Sequence, residues 1–303
     1  MHVDNFLGNI FVSCDRGCNF RLSIERIYMQ DFVHLHVHTQ YSLLDGQASV
    51  SRLVDKAMKD GMKGIAVTDH GNMFGIKEFT NYVNKKNSGP KGEIKDLKKR
   101  IAGIESGEIE CEDKEAEIAD CRAKMAEAES KLFKPIVGCE MYVARRTMDK
   151  KEGKPDQSGY HLIVLAKNEK GYHNLIKLVS HAWTRGYYMR PRTDRSELEK
   201  YHEGLIVCSA CIGGEVPKKI INDQLEEAEE AVRWYKNLFG DDYYLELQRH
   251  KATVPRANHE AYPLQQKANA KLLELARKYD IKVICSNDVH FVDEENAEAH
   301  DRL

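Results

Sequence analysis

The stretch Phe32-Val33-His34-Leu35-His36-Val37-His38 decides how the rest of the chain is read. Apolar residues alternate with histidines through it, and alternation with period 2 is the mark of an extended strand. The expected strand covers Phe32–His36. His36 and His38 follow from it with their imidazoles on one side, and His34 is expected to stay behind as a supporting or structural residue. Six more β-rich runs follow downstream: Gly64–Asp69, Ile136–Val143, His161–Ala166, Leu205–Cys208, Tyr243–Gln248 and Lys282–Ser286. Amphipathic segments lie between several of them, including Ser49–Lys59, Tyr172–Ala182, Gln224–Phe239 and Gln265–Tyr279. Seven strands alternating with helices predict parallel pairing, in a βα barrel or a doubly wound sheet.

Ligand-type side chains fall at or just after the ends of these runs. His36 and His38 close the first, and Asp45 follows in the next loop. Asp69-His70-Gly71 ends the second, Glu140 lies on the third, and Cys211 follows the fifth. Asp288-Val289-His290 follows the seventh, again with period-2 spacing. The C-terminal ends of barrel strands are where barrel enzymes build their sites. His161 breaks the pattern, because it begins the fourth run instead of ending it.

Composition bounds the function classes. The chain has 303 residues, 46 basic and 48 acidic, a formal net charge of −2, and 42% hydrophobic residues. That is too apolar for a disordered chain. It is too nearly neutral for nucleic-acid binding by bulk charge. No run reaches the roughly 18 apolar residues of a membrane helix, so no membrane partner is expected. Eight cysteines with no secretory signal fit a reducing, cytoplasmic setting. Cys14 and Cys18 form a lone CxxxC without a second pair. No P-loop, dinucleotide fingerprint or serine elbow is present.

Two segments stand apart. Residues 1–28 match nothing downstream and read as an extension outside the fold. Residues 85–134 are densely charged, with apolar positions at Ile94, Leu97, Ile101, Ile104 and then at Ile118, Cys121, Met125, Ala128, Leu132. Both series step 3,4,3, which predicts two antiparallel helices joined near Ser106-Gly107 and inserted into the domain.

The first stretch, with Thr39 and the run Tyr41-Ser42-Leu43-Leu44-Asp45-Gly46, resembles the opening of the PHP (polymerase and histidinol phosphatase) domains of bacterial replicative DNA polymerase III alpha subunits. Thr68-Asp69-His70-Gly71-Asn72, Gly138-Cys139-Glu140-Met141-Tyr142, Leu165-Ala166-Lys167-Asn168 with Gly171-Tyr172, and Ser286-Asn287-Asp288-Val289-His290 extend the likeness over about 29–303, hairpin apart. The resemblance implies an α/β fold, a distorted seven-stranded βα (TIM-like) PHP barrel. It also implies a metal cluster held by His36, His38, Asp45, His70, Glu140, His161, Cys211, Asp288 and His290, with catalysis acting through the bound metals. Cys208 makes a CxxC with Cys211 and is assigned to the strand core.

Five histidines, three carboxylates and one thiolate suit two or three zinc, manganese or iron ions better than magnesium. Glu140 is the natural bridge between two metals. Metal-activated water then predicts phosphoester hydrolysis, with a proofreading 3′–5′ exonuclease as the leading reading. Arg190, Arg192, Arg249 and His250 are the substrate-binding candidates. Arg190 and Arg192 belong to an arginine cluster interleaved with Trp183, Tyr187 and Tyr188 that suits phosphates and bases.

The implied partners are a DNA 3′ end, the remaining polymerase domains and a proofreading exonuclease subunit. The polymerase palm and fingers would lie beyond residue 303, so this chain is not expected to polymerise DNA. One alternative is a non-catalytic, metal-stabilised module that supports the polymerase and binds that subunit. A weaker one is a free-standing histidinol-phosphatase-like enzyme.

Overall fold

The computed structural model describes residues 32–251 and 261–300. The 1–28 extension therefore lies outside the described residues. In chain order the elements are α1 (Val50–Lys59), β1 (Gly64–Val67), α2 (Ile76–Lys86), α3 (Ser88–Ser106), α4 (Lys114–Ser130), β2 (Lys134–Ala144), β3 (Gly159–Ala166), α5 (Glu169–Thr184), β4 (Arg192–Thr193), α6 (Arg195–Tyr201), β5 (Leu205–Cys208), α7 (Glu215–Ile221), α8 (Leu225–Phe239), β6 (Tyr243–Leu247), α9 (Ala261–Tyr279), β7 (Lys282–Cys285) and α10 (Ala297–His300).

The strands form one curled seven-stranded sheet in the order β1-β2-β3-β5-β6-β7, with β4 beside β2. These are not quite the seven strands expected. The run 32–36 forms no strand of its own, and the short β4 takes the seventh place. Residues 34–38 nevertheless join the two ends of the sheet. The His34 and Val37 carbonyls accept from Ala66 and Thr68 on the β1 side, at 2.9 and 2.8 Å. On the β7 side His36 O and His38 N bond Val289, at 3.1 and 2.7 Å.

The expectation of uniformly parallel pairing is corrected. β1–β2, β2–β4, β5–β6 and β6–β7 are parallel, but β3 runs antiparallel to both β2 and β5. The reason lies in the connection 145–158, which holds only a 3-10 turn. Without a crossover helix to carry the chain back, consecutive strands pair antiparallel. The reversal also resolves the His161 anomaly. The start of an antiparallel strand lies at the same end of the sheet as the finish of its parallel neighbours, and His161 pairs with Tyr142 near the end of β2.

Alternation divides the strand residues between an inner core and outer ones, Ile65 and Val67 of β1 packing outward against α1 and α2. Leu162 and Val164 join Cys139, Met141 and Val207 against α5, α7, α8 and α9. Ile163 and Leu165 join Leu35, Ala66, Ile136, Ile206, Cys208, Tyr244 and Ile284 in a second cluster, drawn from successive strands inside the curl. Burying an apolar side chain of this size is worth about 1.5–3 kcal/mol, so this inner cluster is a firm floor. Cys208 lies in it, fully buried, as strand core.

The charged insertion forms the helical hairpin. Gly107, at φ +82°, caps α3 in the left-handed conformation, and Asp113 caps α4 by accepting from Ala116 N. Ile104, Cys121 and Ala128 are buried along the seam. Asn87 ties the base together, donating to Phe133 O at 2.8 Å and accepting from Phe133 N at 3.0 Å.

Candidate metal centre

The structure brings all nine expected ligands together, with donor atoms in four groups, three of them linked through His38 and His290: His36–His38–Asp288, His38–His70–His290 and Asp45–His290–His300, and beside them Glu140–His161–Cys211. Two segments do much of the positioning. Residues 34–38 are pinned between the sheet edges. The loop carrying Asp45 is anchored on buried Asp69, whose carboxylate accepts from Thr39 N at 2.6 Å, from the Thr39 hydroxyl and from Ser42 Oγ at 2.9 Å. Asp69, an acid at the second strand end, thus holds the loop and not a ligand position.

Hydrogen bonding fixes which nitrogen each central imidazole presents. His36 Nδ1 lies 2.8 Å from Glu246 Oε1, and a carboxylate can only accept, so Nδ1 carries the proton. His38 Nδ1 lies 2.9 Å from Ser42 Oγ, whose own hydrogen goes to Asp69. His38 Nδ1 is therefore a donor too. Both Nε2 lone pairs then face the same point, 3.2 Å apart, with Asp288 Oδ1 at 2.9 and 3.3 Å from them. His290 repeats the logic: its Nδ1 donates to the Asp288 carbonyl at 2.8 Å and its Nε2 faces Asp45 Oδ2 at 3.1 Å.

Glu140 sits at the centre. One of its oxygens meets His161 Nδ1 at 2.7 Å and His36 Nε2 at 3.4 Å; the other bonds His70 Nδ1 and lies 3.8 Å from His38 Nε2. Cys211 Sγ is 3.6 Å from His161 Nδ1. Glu140 Oε1 and Asp288 Oδ1 are buried with no aligned donor among the described residues, although ring nitrogens lie within 3 Å. Imidazole nitrogens and carboxylate oxygens converge on shared points, and where they now share protons, as His70 does with Asp45 and Glu140, the same donor atoms suit cations that displace those protons.

The electrostatics agree. Burial alone would raise the carboxylates, but the His161 charge and the imidazole hydrogen bonds hold Glu140 well below its usual range, and His36 and His38 do the same for Asp288. Burial opposes charge on His70, yet Asp45 and Glu140 outweigh it and raise its pKa to about 9. His38 is lowered to about 4 by burial. Burial pushes the Cys211 thiol well up. The carboxylates stay ionised and draw positive charge inward, as imidazole protons or as metal cations that displace them.

The substrate candidates divide. Arg192 is corrected: it is fully buried, donating to Gly186 O at 3.0 Å and Met148 O at 2.8 Å, and so serves the fold. Arg249 reaches Tyr262 and His250 pairs with Gln265, both on α9. Arg190 is exposed, its guanidinium over the Tyr142 ring at 5.8 Å, and Tyr142 packs on His70 and His161. Beside it Phe74, Trp183 and Tyr187 form an exposed aromatic row with centroids 5.7 and 5.6 Å apart; Trp183 Nε1 donates to Gly71 O, one residue from His70. His34 lines a separate cavity of about 250 Å³ with Leu53 and Met62, and burial lowers its pKa to about 4.

Sequence reading missed Glu246, Ser42 and His300. A signal for Glu246 was present. Tyr244 and Glu246 share one face of β6 and Gln248 follows just past its end, so the inner face of an apolar strand turns polar toward the end where the ligands gather.

Residues 34–250 match the PHP domain family. The DNA polymerase III alpha subunit of Borreliella burgdorferi is 40% identical over 271 residues, covering 89% of this chain and 19% of that protein. That of Aquifex aeolicus is 36% identical over 277 residues, again covering 89% and 19%. The chain thus spans about a fifth of the length of these relatives. Among solved structures, a candidate metal-dependent phosphoesterase from Bifidobacterium adolescentis is similar at 15% identity and a TM-score of 0.40, over 85% of this chain and 87% of that one. No described helix is long and apolar enough to cross a membrane. With a family match across most of its length, and with DNA polymerase III alpha subunits as its relatives, this chain belongs to the PHP domain family.

Proposed function

We propose that the cluster binds two or three divalent cations and hydrolyses phosphodiesters at a DNA 3′ end, as a 3′–5′ exonuclease. The observation that carries this reading is the meeting of the His36 and His38 Nε2 lone pairs with Asp288 Oδ1 at one point, each imidazole locked by a donor bond from its far nitrogen. The metals would be held by the nine clustered side chains, with Glu140 facing two groups at once. Imidazole and thiolate favour zinc, manganese or iron over magnesium. Such ions supply an ionised water at neutral pH and stabilise a leaving oxygen.

The chain's own residues supply the rest. Arg190, over Tyr142, stands where a phosphate entering the cluster meets a cation. The Phe74–Trp183–Tyr187 row offers stacking faces to unpaired bases. The polymerase relatives support a DNA substrate, and the remainder of such a polymerase is the proposed physical partner.

The test measures metal content in the purified chain and degradation of a primer with a mismatched 3′ end, beside His38→Ala and Asp288→Ala. Stoichiometric metal, primer shortening and loss of both in the variants are expected. Bound metal without cleavage under zinc, manganese or iron would replace the catalytic reading with that of a metal-stabilised module.

A further inference from the structure

The geometry points to His300 as an additional metal ligand, completing with Asp45 and His290 the outermost position of the cluster; this rests on reading the cluster as a metal centre. His300 ends α10, beyond the last expected ligand, and its ring packs between His290 and Phe291 at 5.2 and 5.5 Å. The Asp45 carboxylate divides its oxygens: Oδ2 faces His70 and His290 at 2.6 and 3.1 Å, and Oδ1 faces His300 Nε2 at 3.4 Å. The donor atoms of Asp45, His290 and His300 all lie within 4.8 Å of one another.

The 3.4 Å separation discriminates between two roles. A charge-assisted hydrogen bond between imidazolium and carboxylate closes to about 2.7–2.9 Å. Two ligands on a tetrahedral ion with bonds near 2.0–2.1 Å stand about 3.4 Å apart, the edge of the tetrahedron. His290 fits the second role, since its Nδ1 donates to the Asp288 carbonyl and its Nε2 is the nitrogen turned to Asp45, where a cation would take the place of the shared proton.

The segment that delivers His300 is fastened independently of the cluster. Asp293 and Asn296 form a reciprocal capping box, and Arg52 on α1 bonds both, at 2.8 and 3.3 Å. Occupancy of this position therefore ties the residues after β7 to the loop carrying Asp45. Asp45 is half-exposed where Asp288 and Glu140 are not, so this is the face of the cluster open to solvent and substrate.

The experiment strips the full 303-residue chain with a chelator and titrates zinc, then manganese, against a chromogenic competitor. Wild type, His300→Ala, His300→Asp and His38→Ala are compared. In His300→Ala one equivalent weakens at least tenfold, the scale on which even outer supports act, while the others hold. His300→Asp, which keeps a donor, retains that equivalent. The metal-free melting temperature of both stays close to wild type, because His300 lies on a four-residue helix and its ring contacts are with His290 and Phe291 at the rim of the cluster. In the cobalt-substituted protein, His300→Ala changes the visible band of one equivalent. If His38→Ala loses metal and His300→Ala binds as wild type does, the assignment of His300 is overturned and the metal centre stands. If wild type takes up no metal, both fall.

Discussion

Replacing Glu246 separates a metal site from a buried polar network that merely resembles one. Glu246 is 2% exposed, and its Oε1 accepts from His36 Nδ1 at 2.8 Å, from Gln248 Nε2 at 2.9 Å and from the Ser286 hydroxyl. It touches no proposed metal position. It acts through His36, holding the proton on Nδ1 and enriching the Nε2 lone pair. Outer carboxylates of this kind typically account for about 10–100-fold in metal affinity, or about 1.4–2.7 kcal/mol.

Glu246→Gln keeps an acceptor oxygen and the shape but removes the charge, so about tenfold weaker metal binding is expected. Glu246→Leu removes the acceptor as well. It is expected near 100-fold, and it leaves His36 Nδ1 and the Ser286 hydroxyl without their acceptor while Gln248 Nε2 keeps the Ser286 oxygen, at about 1–3 kcal/mol for each buried donor left unpaired, so its metal-free melting temperature also falls. The assay is competition titration at fixed pH, paired with thermal unfolding of the metal-free and loaded forms. If Glu246→Gln binds metal within twofold of wild type while Glu246→Leu only melts earlier, the carboxylate belongs to the fold and the reasoning about His36 is wrong.

Other expectations follow from the same geometry. Trp183→Ala removes the middle ring of the aromatic row and should weaken single-stranded DNA binding by about 1–3 kcal/mol, five- to 150-fold; unchanged fluorescence anisotropy with an oligonucleotide would remove the row from the substrate path. Arg192→Met should leave metal content intact yet destabilise the fold by about 2 kcal/mol or more, read by denaturant melts, because the Gly186 and Met148 carbonyls lose their buried donor. Burial opposes ionisation of Glu197, but His181, Lys200 and Arg185 outweigh it and hold its pKa below the ordinary 4.5. Its contribution is therefore present above that range and lost as pH falls through the lower folded value; Glu197→Gln should flatten the acid limb of the melting temperature against pH, and an unaltered limb would contradict this.

Period-2 patterning accounts for His36 and His38, which lie on an extended segment, but not for Asp288 and His290, because Asp288 adopts a left-handed φ of +50° past the end of β7 and His290 Nδ1 turns back to its carbonyl. The direction of β3 was not legible in the same way. It follows from what the 145–158 connection lacks, and the residue that registered the reversal, His161, looked like an exception only while every strand was assumed parallel. Arg192 misled for a related reason. Arginine beside tyrosines suits both a phosphate clamp and a buried strut, and only the backbone carbonyls aimed at its guanidinium decide between them. Glu246 shows the converse. A carboxylate at an inward position of an otherwise apolar strand is costly unless something nearby repays its desolvation, and here His36, Gln248 and Ser286 converge on it. Ligand types at strand ends locate a site of this kind, while polar residues on inward strand positions just beneath them identify what orients the ligands, so the sixth strand, to which the sequence assigns no metal ligand, supplies the carboxylate on which His36 depends.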